Sequence, residues 1–85
     1  MHSMTLEQLR ATAAAGGVAG VTLKGQGGAF MLRIATRSGQ DAVLAKARST
    51  EPRRFGNPAS AMILLREVGI AVAQLDATDW NPDAK

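Results

Sequence analysis

The sequence predicts a small α+β domain in the order α-β-β-β-α-β, with two helices on one face of an antiparallel sheet. Three observations lead to this prediction. The chain has 85 residues, enough for a single domain with one thin core. Apolar residues recur at helical spacing in segments 5–15 and 58–68. Between these segments, apolar and polar residues alternate with the period of two that is typical of half-buried strands.

The first helix is predicted from its two ends. Thr5 and Gln8 have the spacing of a capping box, in which each side chain bonds the other residue's backbone N–H. Gly16-Gly17 ends the helix, because glycine adopts the left-handed conformation after a helix without steric cost. The apolar face of the helix is formed by Leu6, Leu9 and Ala13.

Three strands are predicted to follow. The first contains 21–24 and is joined to the second by a glycine-rich turn at 25–28. The second covers 30–35, with its apolar residues at every other position. A hairpin connection at 38–41 leads to the third strand over 43–48, and we expect the small residues Val43, Ala45 and Ala47 to face the core.

This register implies a basic sheet face. If the small residues of the third strand point inward, its long side chains point outward with those of the second strand. The outward set then includes four cations, Arg33, Arg37, Lys46 and Arg48. The prediction depends on register, since a slip of one residue moves every side chain to the opposite face.

The second helix is predicted over 58–68. Pro52 has no backbone N–H to donate, so we expect it to end the preceding strand or to lie at the edge of the sheet. Asn57 is a favourable N-cap, and Pro58 suits the first helical position. Gly69 is the expected stop.

A short apolar run over 70–75 is predicted as the last strand. We expect the domain to cover 4–76, with 77–85 as a polar C-terminal tail. Residues 1–3 resemble a vector remnant, which makes Met4 the expected natural start and discounts His2 as a functional residue.

The charges are unevenly distributed. Residues 20–66 contain eight lysines and arginines but two acidic residues, whereas 67–85 contain four acidic residues and one lysine. A basic middle segment indicates either a surface that binds a polyanion or ordinary solubilising charge. Arg53-Arg54 is the strongest binding candidate, because guanidinium groups bind phosphate bidentately. The alternative is a solvated turn with one arginine paired to Glu51.

Several chemistries are disfavoured. The chain has no cysteine and one histidine, so it offers no nucleophile–base pair, and its carboxylates are scattered. We therefore expect no enzyme, no cofactor and no metal site. The segment 24–28 is better explained as a hairpin than as a phosphate-binding loop, because it lacks the following Lys-Ser/Thr. No apolar run approaches the roughly 20 residues that span a bilayer, so we expect no membrane partner.

Two aromatic residues have alternative interpretations. Trp80 either packs back on the domain as a plug or is an exposed anchor for a partner, since tryptophan is enriched at interaction hot spots. Phe55 is expected in the core, where it joins the strand exit to the second helix. Stacking of Phe55 on a nucleic-acid base is the alternative.

Most of the chain, from Met4 to Asp83, resembles a known family. The residues that carry the resemblance are Glu51-Pro52-Arg53-Arg54-Phe55, Ala61, Leu64-Leu65, Arg66, Gly69-Ile70 and Asp79-Trp80-Asn81-Pro82. This pattern resembles ParC-family partition-associated proteins, which are encoded beside partition genes on plasmids and integrative conjugative elements of Gram-negative bacteria. The resemblance implies a bacterial cytoplasmic protein that serves maintenance of a mobile element, with DNA or a partition protein as partner.

Two functional hypotheses follow. In the first, the chain is an accessory DNA-binding module that contacts phosphates through Arg33, Arg37, Lys46, Arg48, Arg53 and Arg54. Affinity would then fall steeply with salt. In the second, it is a non-enzymatic adaptor or a homodimer that uses a strand edge or Trp80 to engage a partition protein or a second copy.

Overall fold

The computed structural model describes residues 2–83, which form one α+β domain with a five-stranded mixed sheet. The strand order across the sheet is β1-β4-β3-β2-β5. The elements in chain order are β1 His2–Met4, α1 Leu6–Ala14, β2 Val18–Gly27, β3 Ala29–Thr36, β4 Asp41–Leu44, α2 Pro58–Glu67 and β5 Gln74–Trp80.

The sheet is antiparallel only at its centre. β2, β3 and β4 form the predicted antiparallel meander, but β1 pairs in parallel with β4, and β5 pairs in parallel with β2. The prediction of a purely antiparallel sheet is therefore wrong at both edges. Each helix returns the chain to the end of the sheet where the previous strand began, so the strands before and after it run in the same direction.

The sheet also extends beyond both ends of the predicted domain, 4–76. β1 begins at His2, inside the segment 1–3 that resembles a vector remnant. The last strand is Gln74–Trp80, shifted from the predicted 70–75, and the first four residues of the predicted tail 77–85 belong to it. Met1, Ala84 and Lys85 lie outside the described residues.

Both helix starts agree with the sequence prediction. Thr5 caps α1: its hydroxyl accepts the Gln8 N–H at 3.1 Å, and the Gln8 side chain accepts the Thr5 N–H at 2.8 Å. Asn57 caps α2 by accepting the Ser60 N–H at 2.9 Å. These bonds satisfy first-turn donors that have no partner within the helix.

Both helix ends are also as predicted, because glycine follows each cap with positive φ. Gly69 has φ of 91°, and its N–H donates to the Arg66 carbonyl at 3.1 Å. The Ile70 N–H then reaches the Leu65 carbonyl at 2.8 Å, which completes a Schellman motif. Gly16 ends α1 in the same way, with φ of 73°.

A single core lies between the helices and one face of the sheet. The buried side chains of both helices belong to one cluster with the inward side chains of β2, β3 and β4. The cluster contains Leu9, Val21, Leu23, Phe30, Leu32, Ile34, Leu44, Phe55, Ala61, Leu64, Leu65 and Val68. The other face of the sheet, here called the open face, carries the alternate residues of the strands.

The register of β4 differs from the prediction by one residue. Ala42 and Leu44 are buried, and Val43 points toward the open face. Ala45, which follows the strand and bridges to Pro52, is buried as predicted. Leu44 is fully buried, whereas it was predicted to face outward with Lys46 and Arg48. Leu44 is the largest apolar side chain of this segment, so its burial contributes more free energy than burial of the small residues that alternate with it. The strand therefore adopts the register that buries Leu44.

No helix within residues 2–83 is long and apolar enough to cross a bilayer.

Candidate functional site

The open face of the sheet is electrically balanced where it was expected to be basic. The Arg33 guanidinium lies 2.9 Å from the Asp41 carboxylate, and the Lys24 ammonium lies 3.7 Å from Asp76. Both pairs are partly exposed, so each contributes little to stability. Since every cation here faces a carboxylate, the open face offers no concentrated positive charge to a polyanion.

The predicted basic face is not formed, because its members are in different places. β4 ends at Leu44, so Lys46 and Arg48 follow the strand and lie in a turn. Arg48 has a left-handed backbone with φ of 58°, which reverses the chain direction. Arg37 is exposed in the β3–β4 turn, at the far end of the sheet from Lys46.

Four of the six predicted nucleic-acid-binding residues instead share one segment, residues 45–57, called here the basic loop. It contains Lys46, Arg48, Arg53 and Arg54 with one carboxylate, Glu51. The segment therefore has a formal charge of +3, equal to the net charge of the whole chain. Because β2 and β4 end, and β3 begins, at the same end of the sheet, the loop projects from that end.

Backbone hydrogen bonds hold the basic loop against the sheet. Phe55 exchanges two bonds of 2.8 Å with Phe30 at the start of β3. The Arg53 N–H donates to the Leu44 carbonyl at 2.8 Å, and the Lys46 N–H donates to the Glu51 carbonyl at 2.9 Å. Phe55 is buried, which confirms its predicted place in the core. The arginines around it thus project from a fixed backbone.

The two arginines of the pair have different environments. The Arg53 guanidinium lies 5.3 Å from the centre of the Phe55 ring, a cation–π contact that leaves its hydrogen-bond donors free for another group. Arg54 is exposed, and neither arginine forms an ion pair among residues 2–83. Glu51 pairs with Lys46 at 3.3 Å, so the expected alternative of an Arg–Glu51 pair is wrong.

A shallow groove separates the arginine pair from α2. Its volume is about 380 Å³, and it is lined by Arg53, Arg54, Phe55, Gly56, Ser60, Ile63, Leu64 and Glu67. Both arginines line this groove. The arrangement is suited to binding a negatively charged group at the surface, and it contains no nucleophile paired with a base.

Trp80 is the last residue of β5 and packs on the domain. Its ring lies 5.3 Å from that of Phe30, with an angle of 35° between the ring planes. The side chain also crosses Gly25, where an added Cβ would be 2.5 Å from the Trp80 Cβ. Trp80 nevertheless remains 38% exposed. The structure thus combines the two interpretations, because the indole covers the core edge and keeps an accessible side.

Sequence reasoning missed two exposed apolar side chains, those of Val72 just before β5 and Leu75 within it. Val72, Leu75 and Trp80 are three of the four large apolar residues exposed among those the structure describes, and Ile63 on α2 is the fourth. The run 70–75 was predicted as a strand, with no face assigned to its side chains. Its larger apolar residues are at 70, 72 and 75. Alternation along a strand would place residues 70 and 72 on one face and residue 75 on the other, and this spacing was the available signal.

The Asp76 carboxyl in β5 has a lowered pKa. Hydrogen bonds from the Thr78 side chain and backbone hold the pKa of the Asp76 carboxyl below its usual value of 3.8, with a smaller contribution from Lys24. The Thr78 N–H donates to the Asp76 carboxylate at 3.0 Å. This bond lies in a bulge, where β5 uses one more residue than β2 between Asp76 and Asp79.

We expect the Thr78→Val substitution to raise the pKa of Asp76, because it removes the hydroxyl donor and keeps the side-chain shape. Carboxyl chemical shifts in an NMR pH titration measure this. A folded-state pKa below the unfolded value contributes stability above about pH 4 that is lost as pH falls through the folded pKa. A midpoint for Asp76 unchanged by Thr78→Val would contradict the assigned cause.

Residues 2–83 bring together no group of three or more histidine or carboxylate side chains that could hold a metal ion. Comparison of the chain with protein-family models, curated proteins and solved structures gave no significant match.

Proposed function

We propose that this protein is a small non-enzymatic accessory protein that binds DNA weakly through the basic loop, in a partition or maintenance system of a bacterial mobile element. The DNA-binding part is supported by the concentration of the chain's net charge in residues 45–57. The setting is supported by the resemblance of the Arg53-Arg54-Phe55 segment to partition-associated proteins.

The geometry of the loop favours phosphate contacts over base readout. Arg53 and Arg54 are adjacent in a segment whose backbone is anchored to Leu44 and Phe30 at the end of the sheet. Contacts of arginine with phosphates fix a protein on DNA without conveying sequence information. No helix presents these cations to a major groove, so we expect weak sequence specificity.

Arg33 and Arg37 do not belong to this surface. Arg33 is paired with Asp41 on the open face, and Arg37 lies at the opposite end of the sheet. The proposal therefore narrows the six predicted residues to Lys46, Arg48, Arg53 and Arg54.

We expect the Arg53→Ala/Arg54→Ala variant to bind non-specific duplex DNA more weakly and with less salt dependence. Each neutralised phosphate contributes about 0.9 to the slope of log affinity against log salt. Removal of two contacts should therefore reduce the slope by about 2. Fluorescence anisotropy of a labelled duplex, titrated at several salt concentrations, measures both quantities.

The matched control is Arg10→Ala/Arg37→Ala, which removes the same charge from exposed positions outside the loop. This control should bind DNA somewhat more weakly, because the net positive charge of the protein is lower. Its slope of log affinity against log salt should stay close to that of the unmodified protein. An equal loss of slope in both variants would show that net charge alone attracts DNA, and it would contradict the assignment to the basic loop. Absence of binding by the unmodified protein at low salt would refute DNA binding itself.

A further inference from the structure

β5 is an edge strand whose outer side has no partner within residues 2–83. It pairs with β2 along one side, and the sheet ends there. The Asn81 N–H donates to the Gly27 carbonyl at 2.7 Å, so the backbone of Asn81 faces β2. Successive residues of a strand direct their N–H and C=O groups to opposite sides, so those of Trp80 point away from β2. Unpaired backbone donors and acceptors of this kind are a template for another strand.

The two faces of β5 have opposite chemical character. Leu75 is in register with Leu23 on the helix side of the sheet, and it is 54% exposed. Trp80 lies on the same side, against Phe30. On the open face, Asp76 is in register with Lys24, and Asp79 is in register with Gln26. A strand added to this edge would therefore meet apolar side chains on one face and carboxylates on the other.

From this alternation we infer that the free edge of β5 binds an extended peptide segment of a partner protein in which apolar and cationic side chains alternate. The apolar side chains would cover Leu75 and the exposed part of Trp80, and the cationic ones would lie near Asp76 and Asp79. Cross-strand neighbours on one face stabilise a sheet when they are apolar pairs or opposite charges. Main-chain bonds to the edge would provide the remaining affinity.

A second copy of this chain is a poorer occupant of the edge. Antiparallel pairing of β5 with itself brings Asp76 and Asp79 of one copy close to the same carboxylates of the other, which is unfavourable. The opposite edge, β1, has three residues and offers little pairing surface. Because β5 is acidic, its free edge should pair more favourably with a basic strand than with β5 of a second copy.

The bulge at Asp76–Asp79 limits the length of the added strand. The Thr78 N–H is already bonded to the Asp76 carboxylate, so it is unavailable to a partner. A docked peptide must follow the bulge, which fixes its register. We therefore expect a short, weak and sequence-selective interaction.

Trp80 provides the readout, because it is the one tryptophan in the chain and lies in the proposed site. The probe is an acetylated and amidated heptapeptide that alternates lysine with valine, titrated while tryptophan emission is recorded. Two comparison peptides are a block arrangement with the same composition and an alternating glutamate–valine peptide. We expect a saturable change with the lysine–valine alternation alone.

The variant Asp79→Lys reverses a carboxylate on the proposed edge, and Glu7→Lys makes the same charge change at an exposed position on α1. We expect Asp79→Lys to weaken binding at least fivefold and Glu7→Lys to leave it within twofold. Equal binding of the block peptide, or equal effects of both variants, would overturn the proposal in favour of non-specific charge attraction. No saturable response to the alternating peptide would also overturn it.

Light scattering on the unmodified protein completes the test. A monomer is expected. A dimer that Asp79→Lys disrupts and Glu7→Lys leaves intact would overturn the proposal and assign the edge to self-association. The peptide result is independent of the basic loop, since Arg53→Ala/Arg54→Ala should bind the peptide normally.

Discussion

The Phe30→Ala variant is expected to unfold with a free energy about 3–5 kcal/mol below that of the unmodified protein. Phe30 is 1% exposed and belongs to the single core cluster. Its ring contacts Trp80, and its backbone exchanges two hydrogen bonds with Phe55. Removal of the ring would leave a cavity and expose one side of the indole. For a small domain this is a large part of a total stability of roughly 5–15 kcal/mol.

Urea unfolding followed by circular dichroism measures the effect without relying on tryptophan emission, which the substitution itself alters. The matched control is Ile63→Ala on α2, since Ile63 is 63% exposed. We expect that control to change stability by about 0.5 kcal/mol or less. Similar losses for the two variants would contradict the burial of the Phe30 ring in the core.

The Gly25→Ala variant is expected to lower the free energy of unfolding by about 1–3 kcal/mol, although it adds only a methyl group. An added Cβ would lie 2.5 Å from the Trp80 Cβ and 3.2 Å from Phe30 Cε1. The first contact involves an atom close to the β5 backbone, so a rotamer change of Trp80 does not relieve it. The edge strand itself would have to move away from β2.

Gly20→Ala is the control, because Gly20 lies in the same strand and an added Cβ there meets nothing within 4 Å. We expect it to be neutral or stabilising by up to about 1 kcal/mol, since alanine restricts the unfolded chain. If Gly25→Ala proved as well tolerated as Gly20→Ala, the packing of Trp80 across β2 would be refuted. Tryptophan emission of the Gly25→Ala protein should also shift toward that of a more exposed indole.

The helix ends could be predicted because their determinants are neighbours in sequence. Thr5 and Gln8 are three residues apart, as are Asn57 and Ser60, and each pair forms its bond within the first helical turn. Gly69 needs only its own positive φ to end α2. Such interactions have the same geometry wherever the helix later packs.

Strand partners and faces could not be predicted in the same way. Within β4 the sequence supports two alternations, one burying Ala42 and Leu44 and the other burying Val43. The choice depends on the space that β3 and the helices leave for Leu44. In the same way, an apolar run at 70–75 indicates a strand but not where pairing begins, and the parallel register with β2 places β5 at Gln74–Trp80.

The candidate site shows the same division. The sequence identified Arg53 and Arg54, and it placed positive charge in the middle of the chain. The pairing of Arg33 with Asp41 requires two strands to be side by side, and the pairing of Lys24 with Asp76 requires β5 to cross to β2. These partners are 8 and 52 positions apart in sequence.

The sequence by itself thus determined one α+β domain, its two helices with their caps, the central strand order and the basic character of residues 45–57. The tertiary structure alone decided the parallel edges, the face on which each β4 side chain lies, and which cations are neutralised. The physical reason is that capping and turn formation involve a few adjacent residues, whereas strand register and charge pairing depend on burial and contacts between distant segments.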